Sequence, residues 1–222
     1  MVYTITHTRM TKSIIFDTET TGLPLQRNSS IYKTNEWPHI IQLSYIVMDD
    51  DTHEILVEVN DYILINDDVV ITEKSFEVHK ISREFLKENG IPMHEALNKF
   101  ISHMQDCIHA VGHNVSFDKR MVLVEGIRNK IQVNMKNTFC TMKNGTDICA
   151  IKRISQAGNE YFKYPNLMEL HHFFFDHHVK DLHDASVDII VCMRCYYKML
   201  HNVDIAEKNK QVESSIQKLM IL

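Results

Sequence analysis

The chain has 222 residues, 44% hydrophobic and 24% charged, which gives one globular domain with ample core material. Its net charge of −5 is unusual for a protein that grips nucleic acid through its whole surface. No apolar run has the length of a membrane span, and none follows the basic residues of the first dozen positions as in a secretory signal, so an intracellular, soluble protein is expected, cytoplasmic or nuclear, with no membrane partner.

Residues 13–17 (SIIFD) read as a buried strand that runs into a Thr-Gly-Leu-Pro turn. Residues 39–48 and 54–65 are two further strand-like runs joined by a polar DDDTH segment, the pattern of an antiparallel hairpin. The spacing then turns helical: Pro92 is placed in a first helical turn, with Ala96, Leu97, Phe100, Ile101 and Met104 on one face. A short strand is expected at 108–113, a helix at 117–127 and a fifth strand at 138–142. Residues 143–163 read as an irregular basic loop, followed by a helix from about Pro165 and a longer one over 184–200.

Three strands followed by alternating helices and strands predict an α/β domain with a five-stranded mixed sheet, antiparallel at its start and flanked by helices. The domain is expected over residues 1–203, and residues 204–222 form an amphipathic tail that packs on the domain or on a partner. The five cysteines form no disulfide framework, and Cys192 and Cys195 read as core thiols one helical turn apart. The histidine pairs 171–172 and 177–178 share no helix face and read as no metal site.

The charge is unevenly placed. Residues 118–153 carry eight Lys or Arg against three acids, whereas residues 49–68 carry eight acids and no Lys or Arg. Such polarity suits local holding of a phosphate chain, and charge alone is equally compatible with solvated faces.

Asp17 and Glu19 are two apart at a strand end, so they share a face roughly 6 to 7 Å apart along the backbone. Two acids on one face need water or a cation as compensation, and carboxylate pairs suit a hard ion such as Mg²⁺. An exposed strand end with a capping acid is the other reading of that pair. Asp118 and Asp188 each fall where a helix begins, and small Ala185 leaves room for a substrate beside Asp188.

The set Asp17-Thr18-Glu19-Thr20-Thr21-Gly22, His113-Asn114-x-x-Phe117-Asp118 and His183-x-Ala185-x-x-Asp188 resembles the DEDDh 3′–5′ exonucleases, the proofreading-like branch of the ribonuclease H-like superfamily. The resemblance covers about residues 13–200. It implies two Mg²⁺ ions, with Mn²⁺ a substitute: Asp17, Glu19 and Asp188 on one, Asp17 and Asp118 on the other, and His183 as general base. It further implies substrate contacts at Thr18, Thr20, Leu23, His79, His113, Asn114 and Phe117, with Thr20 by the 3′ hydroxyl and Leu23 against the last base.

The implied activity is release of nucleoside 5′-monophosphates from single-stranded 3′ ends. DNA is favoured by the Thr-Thr-Gly-Leu turn, and RNA trimming is the alternative. An inactive binding module, an endonuclease or a small-molecule phosphatase are the competing readings, and a polymerase or a second copy of the chain is a compatible partner. The basic, aromatic segment 143–163 is a further place for strand contacts, through Lys152 and Arg153.

Overall fold

The structure, a computed structural model, describes residues 11–179 and 184–219. It begins with an antiparallel meander of β1 (Lys12–Thr20), β2 (Ile40–Asp49) and β3 (Ile55–Tyr62). Three helices come next: α1 (Glu73–His79), α2 (Arg83–Asn89) and α3 (Met93–Met104). They carry the chain across to β4 (His109–Gly112), which pairs with β1 in parallel; such a pair needs a long crossover. Helix α4 (Val115–Arg128) then leads to β5 (Thr138–Cys140), parallel to β4. The sheet order is β3-β2-β1-β4-β5, the expected mixed sheet with its antiparallel start.

The pleat divides the core in two. Ile14 and Phe16 of β1, with Leu43, Tyr45 and Val47 of β2, pack with Leu97, Phe100 and Val122 of α3 and α4. Beyond β5 the chain forms α5 (Thr141–Cys149), a hairpin of β6 (Lys152–Ile154) and β7 (Glu160–Phe162), then α6 (Leu167–Phe175) and α7 (Ala185–His201). Ile15, Ile46 and Met48 point the other way, to α6 and α7. Every residue of β2 is buried, which is why its sequence is a nearly continuous apolar run. By the same alternation Asp17 and Glu19 continue the Ile15 face toward α7, and Thr18 continues the Phe16 face toward α4.

Three expectations are corrected. The fifth strand ends at Cys140, and Thr141 already begins α5. Residues 143–163 are not an irregular loop, because most of α5 and the whole β6–β7 hairpin lie within them. Gly145 disguises α5, since an interior glycine weakens a helix signal. Here it serves packing: a Cβ would come within 2.8 Å of Leu170 Cδ1 on α6. Gly158, at φ +83°, supplies the turn between β6 and β7. Pro92 sits one residue before α3, at its N-cap, rather than inside the first turn.

The chain ends in α8 (Ile205–Lys208) and α9 (Lys210–Leu219), which bury Ile205, Val212 and Ile216 in the core on the α7 side; Met220 lies outside the described residues. Cys192 and Cys195 are buried in α7 and free of disulfides. Among the described residues no helix is long and apolar enough to cross a membrane.

Candidate active site

Asp17 and Glu19 leave the end of β1 on the face covered by α7, whose first turn carries Asp188. One carboxylate oxygen from each of the three lies within 4.8 Å of the others, and no other such cluster of acids, histidines or cysteines occurs among the described residues. Asp118 comes from the opposite side. Its Oδ1 accepts hydrogen bonds from the Thr18 backbone N–H at 3.2 Å and the Thr18 hydroxyl at 2.7 Å. The residue between the two acids of β1 thus ties down the acid from α4.

The electrostatics show what this grouping lacks. Burial, then Asp118, Asp188 and Glu19, push the Asp17 carboxyl well above its usual range. Burial and the Asp188 and Asp118 charges raise Glu19 to about 8. Burial raises Asp118 to about 7 against the opposing pull of its Thr18 bonds. Carboxylates crowded this way resist ionising together unless a cation joins them. The donor set is all oxygen, which fits a hard divalent ion such as Mg²⁺ or Mn²⁺.

A second set of residues holds the start of α7, the helix whose first turn carries Asp188. Gln42 Nε2 on β2 donates to Asn60 Oδ1 at 2.9 Å and to Asp184 Oδ1 at 3.0 Å, and Gln42 Oε1 accepts from the Ala185 N–H at 3.4 Å. Asp184 is the N-cap of α7 and accepts from Ser186 N–H at 2.9 Å. Sequence reasoning missed Gln42, Asn60 and Asp184. The available signals were a lone amide inside an apolar strand and an acid directly before a helix. His183, the expected general base, lies outside the described residues.

Beside the acids is a cavity of about 480 Å³, bounded by Glu19, Thr20, Leu23, Val78, His79 and Phe117 among others. Leu23 is 79% exposed at its rim. His79 is buried, its Nδ1 accepts from the Ile81 N–H, and burial lowers its pKa. The Thr20 hydroxyl donates to the Gly22 carbonyl at 2.8 Å and so braces the turn. Thr18 also lines the cavity, with its hydroxyl committed to Asp118.

His113 and Asn114 do not line the cavity. The His113 ring sits between Thr141 Oγ1 at 3.0 Å and the Pro165 carbonyl at 3.1 Å, joining the start of α4 to α5 and α6, and burial lowers its pKa to about 4. Asn114 takes the left-handed conformation at the N-cap of α4, with no side-chain cap bond.

This arrangement, acids at a strand end facing acids at two helix starts, defines a class. The profile of the exonuclease family RNase T matches residues 14–196, and the chain belongs to that family. It is a metal-dependent exonuclease of the DEDDh type on a ribonuclease H-like fold. The chain is 26% identical over 193 residues to the DNA polymerase III epsilon subunit of Salmonella typhimurium, covering 86% of this chain and 72% of that one. The Escherichia coli K12 epsilon subunit matches over the same shares at the same identity.

Among solved structures, E. coli Exonuclease I in complex with a dA16 oligonucleotide superposes with a TM-score of 0.62 at 15% identity. That match covers 93% of this chain, which spans 45% of the Exonuclease I chain. Cell-death related nuclease 4 superposes with a TM-score of 0.65 at 13% identity, over 87% of this chain and 65% of that one.

Proposed function

We propose that the protein is a 3′–5′ exonuclease that removes nucleoside 5′-monophosphates from single-stranded DNA ends. The observation that carries this reading is the convergence of Asp17, Glu19 and Asp188 next to a cavity large enough for one terminal nucleotide. Asp17, Glu19 and Asp188 hold one divalent ion, and Asp17 with Asp118 the second. Such a pair, when bound, stabilises the attacking and leaving oxygens of an in-line displacement at phosphorus.

The chain's own groups do the rest. Thr18 fixes Asp118, and the Gln42–Asp184 bridge fixes the start of α7. His183 takes the proton from the attacking water, a task for which an unperturbed imidazole is mostly neutral at physiological pH. Leu23 and Phe117 flank the terminal base, and His79 closes the cavity behind it. A duplex end has to be unpaired to enter this cavity, which favours single strands.

DNA is the substrate supported by the Thr-Thr-Gly-Leu turn, by the similarity to DNA polymerase III epsilon subunits and by neighbours that bind DNA oligonucleotides. The epsilon similarity also supports a polymerase as a partner. The domain proper comprises residues 1–203, with 204–222 as its closing tail.

The test digests one sequence as single-stranded DNA and as RNA, labelled at the 5′ or the 3′ end, with Mg²⁺, Mn²⁺ or chelator. Wild type yields mononucleotides from the 3′ end of DNA only when a metal is present. Asp17→Ala lowers the rate by about a hundred-fold or more, since removing even the outer-shell partners of metal ligands costs about 10- to 100-fold. Internal cuts, free phosphate, or equal and chelator-insensitive rates for wild type and Asp17→Ala sink the proposal.

A further inference from the structure

Helix α4 has two working faces. At 3.6 residues per turn, Asp118 looks inward to β1, while Ser116, Lys119 and Arg120 lie on the outer side. There they meet Lys143 and Asn144 of α5 across a groove of about 610 Å³ floored by Thr138 of β5. No carboxylate lines the groove. Ser116 on its lining lies two residues before Asp118 in the same helix.

The cations are held in different ways. Lys119 Nζ spends one donor on the Met135 carbonyl at 2.7 Å, which pins the ammonium at the groove and leaves two donors. Arg120 stacks over Trp37 at 5.2 Å and donates from Nε to the Ser116 carbonyl. Lys143 is exposed and makes no ion pair among the described residues.

Three positive charges without a counter-charge, in a chain of net charge −5, select a polyanion. The β6–β7 hairpin is the competing basic place, but Lys152 there is paired with Glu160 at 3.4 Å, and Lys163 beside it with Glu169 at 2.5 Å. We propose that the α4–α5 groove is a second phosphate-binding subsite, which holds the backbone of the single strand upstream of its 3′ end. This rests on the exonuclease reading and adds to it a place where the length of the strand is felt.

The experiment measures kcat/KM with Mg²⁺ over a salt series on a twelve-nucleotide DNA strand and on a dinucleotide. The variants are Lys143→Gln, Lys143→Arg, Lys119→Gln with Lys143→Gln, and Lys152→Gln with Arg153→Gln. Each phosphate contact on a single strand contributes about 0.7 to the slope against log salt. Lys143→Gln flattens the twelve-nucleotide slope by about 0.7 and the double groove variant by about 1.4. Lys143→Arg keeps the wild-type slope, the hairpin variant changes it less than the groove variant, and dinucleotide cleavage is the same in all.

The single Lys143→Gln variant decides the matter if loss of the Lys119–Met135 bond unfolds the double one. Slopes parallel to wild type in the groove variants, or a larger change in the hairpin variant, overturn the groove. Failure of wild type to cleave the twelve-nucleotide strand overturns instead the exonuclease reading on which it rests.

Discussion

Glu19 is held at about 8 and Asp118 at about 7, and Asp17 is pushed well above the usual carboxylate range, all by burial first and, for Asp17 and Glu19, by neighbouring acids next. Without metal the native state therefore binds more protons than the unfolded chain between the usual carboxylate range and about pH 8. Stability in chelator falls as pH rises through that window. Asp17→Asn removes one member of the repulsion, so in chelator at pH 8 it raises stability, by on the order of 1–3 kcal/mol. Mg²⁺ stabilises wild type and much less the variant. Thermal melts from pH 5 to 8, with chelator and with Mg²⁺, check this; a flat wild-type profile in chelator removes the repulsion from the account. The acids themselves were legible in the sequence because each sits in a short motif whose chemistry is local. Gln42 and Asp184 were not, since their partnership joins positions far apart in the chain, and only the folded sheet brings them to 3.0 Å.

At the scale of elements, α4 serves the site with both ends. Asp118 is in its first turns, and Arg128 in its last turn donates to the carbonyls of Thr34 at 2.6 Å, Trp37 at 2.7 Å and Pro38 at 2.8 Å, while pairing with buried Glu125. That segment leads to His39, whose carbonyl accepts from the Thr21 N–H and whose N–H donates to the Thr21 hydroxyl, both at 2.9 Å. Thr21 lies between Thr20 and Gly22 in the turn that bounds the cavity. Arg128→Ala leaves Glu125 buried without its cation and is expected to cost about 3–5 kcal/mol, whereas Arg128→Lys keeps the charge, loses the fork and costs less. Denaturant midpoints for the two variants test this, and a Lys variant as stable as wild type would show that the fork-shaped guanidinium is not what holds the turn. Such clamps are invisible to periodicity, which located the sheet and the long helices but not α5 or the hairpin. In α5 the helical pattern is interrupted by Gly145, and the reason for that glycine is Leu170 on another helix.

Across the whole molecule, the second core is closed by the end of the chain. Asp204, the N-cap of α8, accepts from Arg194 Nε at 2.9 Å and Nη2 at 2.7 Å. The same guanidinium lies 3.8 Å from the centre of the Phe175 ring and donates from Nη1 to His171 Nε2 at 3.1 Å. One cation therefore joins α6, α7 and the tail. His171 accepts that bond as a neutral ring, and burial, reinforced by Arg194, lowers its pKa to about 4. The Arg194 bonds likewise outweigh burial and lower the Asp204 pKa. Both groups bind fewer protons folded than unfolded: the His171 contribution is complete above about pH 6.5, the free histidine value, and is lost as pH falls toward 4, whereas the Asp204 contribution is lost only below the ordinary aspartate range. Asp204→Ala strands Arg194 in the core and is expected to cost about 3–5 kcal/mol at pH 7 and a similar amount at about pH 4.5, where the lowered pKa keeps Asp204 ionised in the folded chain. Chemical denaturation at the two pH values, with Mg²⁺ present at pH 7, measures it. A tail merely resting on the surface through an exposed ion pair would show a cost below about 1 kcal/mol, and that value would separate residues 204–219 from the folding unit.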